Sequence, residues 1–345
     1  MTIDGAESAV AVDVHQRMTE LLFGCWASQT LKAMVDLSVA DHLAAGGLTA
    51  TEVAAREHSD PDSTYRLLRG GVAFGLLTAD EDGRFHGTPL LDTIRTDAPR
   101  SLRDLVLTIT SDSHWLSWRE FAASVRTGHS QAPTALGTDL FTYLERNPNE
   151  AREFSAGMAA ITSLWASDLA RLIDTNNVQR AVDVGGANGS MLRLLQEANA
   201  SLRGVVFDRP DVAGDVAAAV AQSEFADRTE VVGGDFFIAV PAGDLHLLKF
   251  VLHDWDDDSC IQILRRCRDA MAPGGRIAII ELLVEDINDP GVAALMDLNM
   301  LVVSPSGRER SLPEFDALLA AAGLRRTSMV RTANSPQGVI EAMAA

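Results

Sequence analysis

The chain has 345 residues, 47% of them hydrophobic, with 29 basic against 48 acidic side chains and a formal net charge of −19. The length sets an expectation of about two domains. A surface this negative repels phosphate backbones and anionic lipid, which argues against nucleic acid or a membrane as partner. No run of about 18 uncharged apolar residues offers a membrane span. The opening stretch, MTIDGAESAVAVDVHQ, carries acids and no basic region, so it does not read as a secretory leader. Three cysteines without a C-x-x-C pair fit a reducing, cytoplasmic setting.

From residue 15 to about 100 the pattern is short helices followed by a hairpin. Thr49-x-x-Glu52 has the form of a capping box ahead of Val53, Ala54 and Ala55. Asp60-Pro61 fits an N-cap and first-turn proline for a helix carrying Leu67, Leu68 and Val72. Asp82-Gly83, within GLLTADEDGRFHGT, marks the bend of a hairpin. This outline is that of a winged helix over residues 10–103. Without a concentrated Lys/Arg face, it reads as a packing or dimerisation module rather than a DNA reader.

Residues 104 to 175 have a helical rhythm set with Trp115, Trp118, Phe121, Phe141, Tyr143, Phe154 and Trp165. Phe154 and Met158 are four apart and share a helix face. The rhythm then becomes strand, helix, strand. Strands are expected at AVDVGG, LRGVVFD, DLHLLKFVLHD and RIAIIELLV, with helices at SMLRLLQEA, VAGDVAAAVAQ and CIQILRRCRDAM. A helix at LPEFDALLAAAG and the strand-like runs RRTSMVRT and QGVIEAMA close the chain. Alternation of this kind defines an α/β fold with a parallel sheet covered on both faces, here over residues 104–345. Ligands of such sheets bind beyond the carboxyl ends of the strands. Cys260 and Cys267 share a helical face with Leu264 and Met271, as core residues do.

Gly185, Gly186 and Gly189 follow the first strand of the second half, in AVDVGGANGS. The dinucleotide pattern G-x-G-x-x-G fails at Ala187 and Ser190, whereas the shorter G-x-G-x-G misses only at Ala187. That favours S-adenosylmethionine (SAM) over a nicotinamide cofactor. Asp208 ends the second strand, where a carboxylate can accept from both ribose hydroxyls. Asp235 and Phe236 follow a third strand, an acid beside a ring that suits adenine. His253 is expected at the end of the fourth strand and Glu281 at the end of the fifth, with Glu309 in the loop before the next helix. Two carboxylates reaching one imidazole would orient it and favour its protonated form after it takes a proton. The acids from Asp254 to Asp258 are expected to charge a helix N-terminus, and no metal is expected.

The motifs DVGGANG, FDRP, GDFF, LLKFVLHDWDDD, IIELLV and GRERSLPEF occur in this order and spacing. In this the chain resembles the SAM-dependent O-methyltransferases of the plant caffeate and bacterial polyketide type, from about residue 15 to the C-terminus. The resemblance implies a Rossmann-like SAM methyltransferase sheet with an N-terminal, mostly helical, winged-helix dimerisation domain. It places the catalytic base on His253 and the orienting acids on Glu281 and Glu309. It sets the cofactor contacts among Asp183, Gly185, Gly186, Gly189, Asp208, Asp235, Phe236, Lys249 and Trp255. Its acceptor-pocket positions are Phe154, Met158, Asn299, Met300 and Ser304. A homodimer is implied, in which an N-terminal segment of one subunit helps to close the other's pocket. The implied reaction is methylation of a hydroxyl, phenolic in the main, on a small aromatic natural product. Two alternatives stand beside it: a SAM-binding relative doing C- or N-methylation, hydroxylation, decarboxylation or cyclisation, and a winged-helix regulator sensing a small molecule.

Overall fold

The computed structural model describes residues 13–345 apart from 286, 289, 290 and 332–334. The reading of residues 1–12 as free of a leader lies outside that range, as does the side chain of Trp165. Two compact units partition the chain. One runs through Ser111 and takes in Glu153–Gly157; the other comprises Asp112–Arg152 and Met158–Ala345. Among the described residues no helix is long and apolar enough to cross a membrane.

In the first unit, helices Gly24–Asp36, Ala50–Glu57 and Pro61–Ala73 pack around Met34, Leu68, Leu77 and Phe85. Both expected helix starts are present. Thr49 and Glu52 form a reciprocal capping box, and Asp60 accepts from Ser63 N ahead of Pro61. Strands β1 (Leu77–Ala79) and β2 (Phe85–Gly87) pair antiparallel around Gly83. The helix Val14–Leu22 has no buried residue, and its Val14, Met18, Leu21 and Leu22 are exposed.

The second unit is built on a seven-stranded sheet. Its strands are β3 (Arg180–Val184), β4 (Arg203–Asp208), β5 (Thr229–Gly233), β6 (Gly243–Lys249), β7 (Met271–Leu282), β8 (Leu324–Arg331) and β9 (Gln337–Ala344), in the order β5-β4-β3-β6-β7-β9-β8. Strands β3 to β7 pair in parallel. The expectation of a parallel sheet is corrected at one edge, where β9 runs antiparallel to both β7 and β8. The cause is the short connection between β8 and β9, which permits only a reversal; a parallel pair needs a crossover of a dozen or more residues.

Period-2 alternation feeds both faces of this sheet. Val182, Leu248, Ile277 and Ile279 pack with Cys260, Leu264 and Cys267 of the helix Asp257–Ala270. Ala181, Leu247, Ala278 and Ile280 pack with Met191, Leu192 and Leu195 of the helix Ser190–Ala198. With both faces filled, the open space lies at the strand ends. Order reverses between β4-β3 and β3-β6, so the crevice above β3 is the place for a ligand.

Three further expectations need correcting. The strand expected to run to His253 stops at Lys249, and His253 lies in a 3-10 turn, Leu252–Asp254. The break falls at Phe250, whose φ of 52° ends the extended run. The stretch between Glu281 and Asp297, to which the sequence pattern assigns no element, contains the start of a helix, Gly291–Val303. That segment is apolar on all sides, so its sequence lacks the stripe that announces a surface helix. Finally, the strand expected at Arg276 already begins at Met271, directly after the helix Asp257–Ala270.

Gly189 caps the helix Ser190–Ala198 with φ 69°, and a Cβ there would lie 2.7 Å from Val206 Cγ2. Left-handed backbone and overpacking each cost on the order of 1–2 kcal/mol. Gly189→Ala is therefore expected to lower stability by about 2–4 kcal/mol, read as a lower urea midpoint at unchanged slope; an unchanged midpoint would contradict this packing.

Candidate active site

Because β3 to β7 are parallel, their carboxyl ends lie along one rim, and the residues singled out above fall there in sequence. Gly185 follows β3 with φ 68°, and Ala187 is also left-handed at 45°. The loop is pinned from β4: Asp208 Oδ2 accepts from Ala187 N at 2.8 Å, and its Oδ1 accepts from Arg209 N at 2.8 Å. Asp235 Oδ1 accepts from Phe237 N at 2.8 Å. Phe236 meets Trp255 edge to face, with ring centroids 5.9 Å apart. A glycine turn, a strand-end carboxylate and an aromatic edge are the parts a nucleoside needs, and they are adjacent here.

Two residues expected at the cofactor, Asp183 and Lys249, are held by protein partners. Asp183 is 2% exposed, and its carboxylate accepts from Leu192 N at 3.4 Å, so it ties the loop to the following helix. Burial pushes its carboxyl up to about 6, against the pull of the Leu192 N–H and the Lys249 charge. Lys249 donates to Thr162 Oγ1 at 2.9 Å, and burial brings its ammonium down to about 8. Its Nζ also lies 4.3 Å from the centre of the Phe250 ring.

His253 is held from three sides. Its Nδ1 is 2.9 Å from Glu309 Oε1 and 3.9 Å from Glu281 Oε2. The ring stacks on Phe250 at 5.1 Å between centroids and 20° between planes. Glu281 is fully buried, and its Oε1 accepts from both Val251 N and Leu252 N, at 3.1 and 3.0 Å. That carboxylate thus replaces the ladder bonds lost where β6 ends. Burial alone would push the imidazolium down, but the charge of Glu281, the hydrogen bond that Nδ1 donates to Glu309 and the charge of Asp254 raise it to about 10. Burial in turn pushes the Glu281 carboxyl up, countered by His253.

Sequence reasoning missed two members of this group. Asp254, expected among the charges of a helix start, lies in the 3-10 turn with Oδ1 3.7 Å from His253 Nε2. The helix is capped instead by Asp256, which accepts from Ser259 N. Arg310, 1% exposed, donates to the carbonyls of Leu252 and Trp255. The sequence pattern assigns Arg310 no role; its burial reveals it.

The expected pocket residues divide. Asn299 and Met300 lie on the helix Gly291–Val303, and Asn299 Oδ1 accepts from Trp118 Nε1 at 3.1 Å. Ser304 Oγ donates to Asp254 O at 3.4 Å and accepts from Gly307 N at 2.9 Å. Phe154 and Met158 are partly buried on the helix Pro148–Ala170, Phe154 within the first unit and Met158 within the second.

A Rossmann-like sheet with a glycine turn, strand-end carboxylates and a carboxylate-held histidine along one rim fits the SAM-dependent methyltransferase class. Residues 118–325 match the O-methyltransferase domain and residues 19–110 the O-methyltransferase dimerisation domain. The chain belongs to this O-methyltransferase family, whose members use SAM. It is 37% identical over 347 residues to O-demethylpuromycin-O-methyltransferase of Streptomyces alboniger, covering 98% of this chain and 92% of the relative. It is 32% identical over 335 residues to phenazine O-methyltransferase PhzM of Lysobacter antibioticus, covering 97% of each. Human N-acetylserotonin methyltransferase, solved in complex with SAM, superposes with a TM-score of 0.88 at 28% identity, over 97% of this chain and 99% of that one.

A raised imidazole contributes stability that is complete below the unfolded value of about 6.5 and is lost as pH rises through the folded value. An NMR titration of the His253 ring is expected to give a midpoint well above 6.5. Glu309→Gln should bring it down; equal midpoints in the two proteins would remove Glu309 from the group.

Proposed function

We propose that the protein transfers a methyl group from SAM to a hydroxyl of a small aromatic natural product, with His253 as general base. The observation that carries this reading is the Nδ1 contact between His253 and Glu309 at 2.9 Å, beside the strand ends that hold Gly185 and Asp208. The chemistry SAM supplies when bound is a methyl group already activated on a positively charged sulfur. What is left for the chain is to place the acceptor and take its proton.

A carboxylate can only accept, so Glu309 keeps the proton of the neutral imidazole on Nδ1 and leaves the lone pair of Nε2 for the acceptor. With His253 raised to about 10, the neutral imidazole is the minor form at neutral pH; that form, matched to a phenol of solution pKa near 10, takes the phenol's proton through Nε2 as the oxygen attacks, so the rate rises with pH toward the His253 value. The imidazolium then formed faces Glu309, Glu281 and Asp254, which lowers the cost of its charge. Gly185, Gly186 and Gly189 give the cofactor close approach, Asp208 offers its carboxylate to the ribose, and Phe236 and Trp255 wall the adenine beside Asp235. Lys249 and Asp183 support this loop from below. Met158, Asn299, Met300 and Ser304 are assigned to the acceptor. The relatives named above, which act on a phenazine and on O-demethylpuromycin, support a natural product as substrate. An amine nucleophile would use the same base, and the product decides between them.

Methyl-labelled SAM incubated with protein and an extract of its producing cell should yield a labelled O-methyl product, identified by mass spectrometry. In that assay His253→Ala is expected to lose two to four orders of magnitude in rate, roughly the span of a general base, while S-adenosylhomocysteine affinity by calorimetry stays. Wild-type turnover would discard the base. Ligand atoms of His253, Glu281 and Glu309 lie within 4.8 Å of one another, as a metal site would need. The reading is metal-independent, so the rate should survive EDTA; loss in EDTA and rescue by magnesium would contradict it.

We also assign the first unit to a cytoplasmic homodimer. The apolar face of the helix Val14–Leu22 lacks cover within its own unit, which also contains an apolar groove of about 430 Å3 lined by Leu31, Phe74, Leu76, Leu90 and Ile94. Sedimentation should give twice the chain mass, and a stable monomer would refute the assignment.

A further inference from the structure

We propose that residues 304–310 form a brace that sets the catalytic turn, with Arg310 and Gly307 as positioning residues for His253. The inference rests on the reading of His253 as the base, and it concerns what holds that ring in place.

A three-residue 3-10 turn holds itself poorly. Within the turn at Leu252–Asp254, Asp254 N reaches Val251 O and Trp255 N reaches Leu252 O only at 3.3 Å each. Its geometry is imposed from outside. Glu281 takes the two leading amides, as described above. The carbonyls are taken by the brace: Arg308 N donates to His253 O at 2.8 Å, Arg310 Nη1 to Leu252 O at 2.9 Å, and Arg310 Nη2 to Trp255 O at 2.7 Å. Ser304 Oγ stands against Asp254 O. Every carbonyl from Leu252 to Trp255 thus faces a donor from one seven-residue segment.

The same segment presents Glu309 to the imidazole. Glu309 N is fixed by Asp297 Oδ1 at 2.9 Å, and Val284 N donates to Arg310 O at 3.1 Å, where Arg310 bridges to Leu283 beyond β7. Alternation along the chain divides the labour: Glu309 reaches the ring while Arg310 reaches its backbone. The guanidinium side chain is 0% exposed, and Asp257 Oδ1 accepts from its Nε and Nη2 at 3.1 and 2.8 Å. A fork of donors aimed at three acceptors is what arginine offers and lysine does not. Gly307 allows the approach, since a Cβ there would lie 2.6 Å from both His253 O and Ser304 Oγ.

Full-length Arg310→Lys and Gly307→Ala, each checked for a cooperative thermal transition, are titrated by NMR at their histidine rings. The brace predicts that the His253 midpoint falls from its raised position by about one pH unit or more, toward the 6.5 of a free imidazole. The His114 and His246 rings, buried in the same unit, should keep their wild-type shifts. Should Arg310→Lys fail to fold, Gly307→Ala carries the test alone. A wild-type His253 midpoint in a folded variant overturns the proposal, as does a displacement of all the rings together. These readings need no turnover, so they separate from a failure of His253 as base, which the His253→Ala rate reports.

Discussion

The contact on which the site depends is a buried imidazole against two buried carboxylates. Removing charges from water is costly, and an arrangement of this kind persists only where each group finds partners. Here Glu281 binds two backbone amides, Glu309 binds the ring, and the ring carries the compensating proton. The protein has spent a well-packed interior position on Glu281 at the end of β7, among neighbours such as Ile280 and Leu282, where a leucine would pack at lower cost. That choice converts a strand terminus into the anchor of the turn that carries His253.

The sheet supplies the rest by geometry. Five parallel strands deliver Gly185, Asp208, Asp235, His253 and Glu281 to one rim, although up to about a hundred positions separate them in sequence. The faces of the sheet are filled by alternating aliphatic residues, so function is confined to the ends. Two of the six left-handed non-glycine residues among those described fall there as well. Phe250 and Ala187 adopt left-handed φ without being glycine, at the two points where the chain leaves a strand to build the site. At Phe250 the strained backbone comes with a ring stacked between the Lys249 ammonium and the His253 imidazole.

Much of this was legible in the sequence because it depends on local signals. Caps at Thr49 and Asp60, the hairpin at Gly83, the helix SMLRLLQEA and the strands of the α/β half all announce themselves by period or turn chemistry. The motif residues His253, Glu281 and Glu309 could be singled out because a charge at the end of an apolar run is anomalous. What stayed hidden depends on contacts between distant segments. Nothing in KFVLHDWDDD says that the strand ends at Lys249, since the turn is made by Glu281 from another strand. Nothing adjacent to Ser304 indicates that it faces Asp254 O, or that Asp183 lies under its loop. Arg310 carries no local signal because its acceptors are carbonyls more than fifty positions away. The helix Gly291–Val303 was missed for the opposite reason: uniform apolarity erases the period that would mark it.

The central claim is that one rim brings the base to the acceptor oxygen beside the cofactor. A crystal structure of the protein with S-adenosylhomocysteine and its hydroxylated acceptor tests this directly. The account predicts the nucleoside over Gly185 and Asp208 and the acceptor oxygen about 2.6–3.2 Å from His253 Nε2, the reach of a general base. An acceptor hydroxyl directed away from that nitrogen, or a nucleoside seated elsewhere, would contradict it.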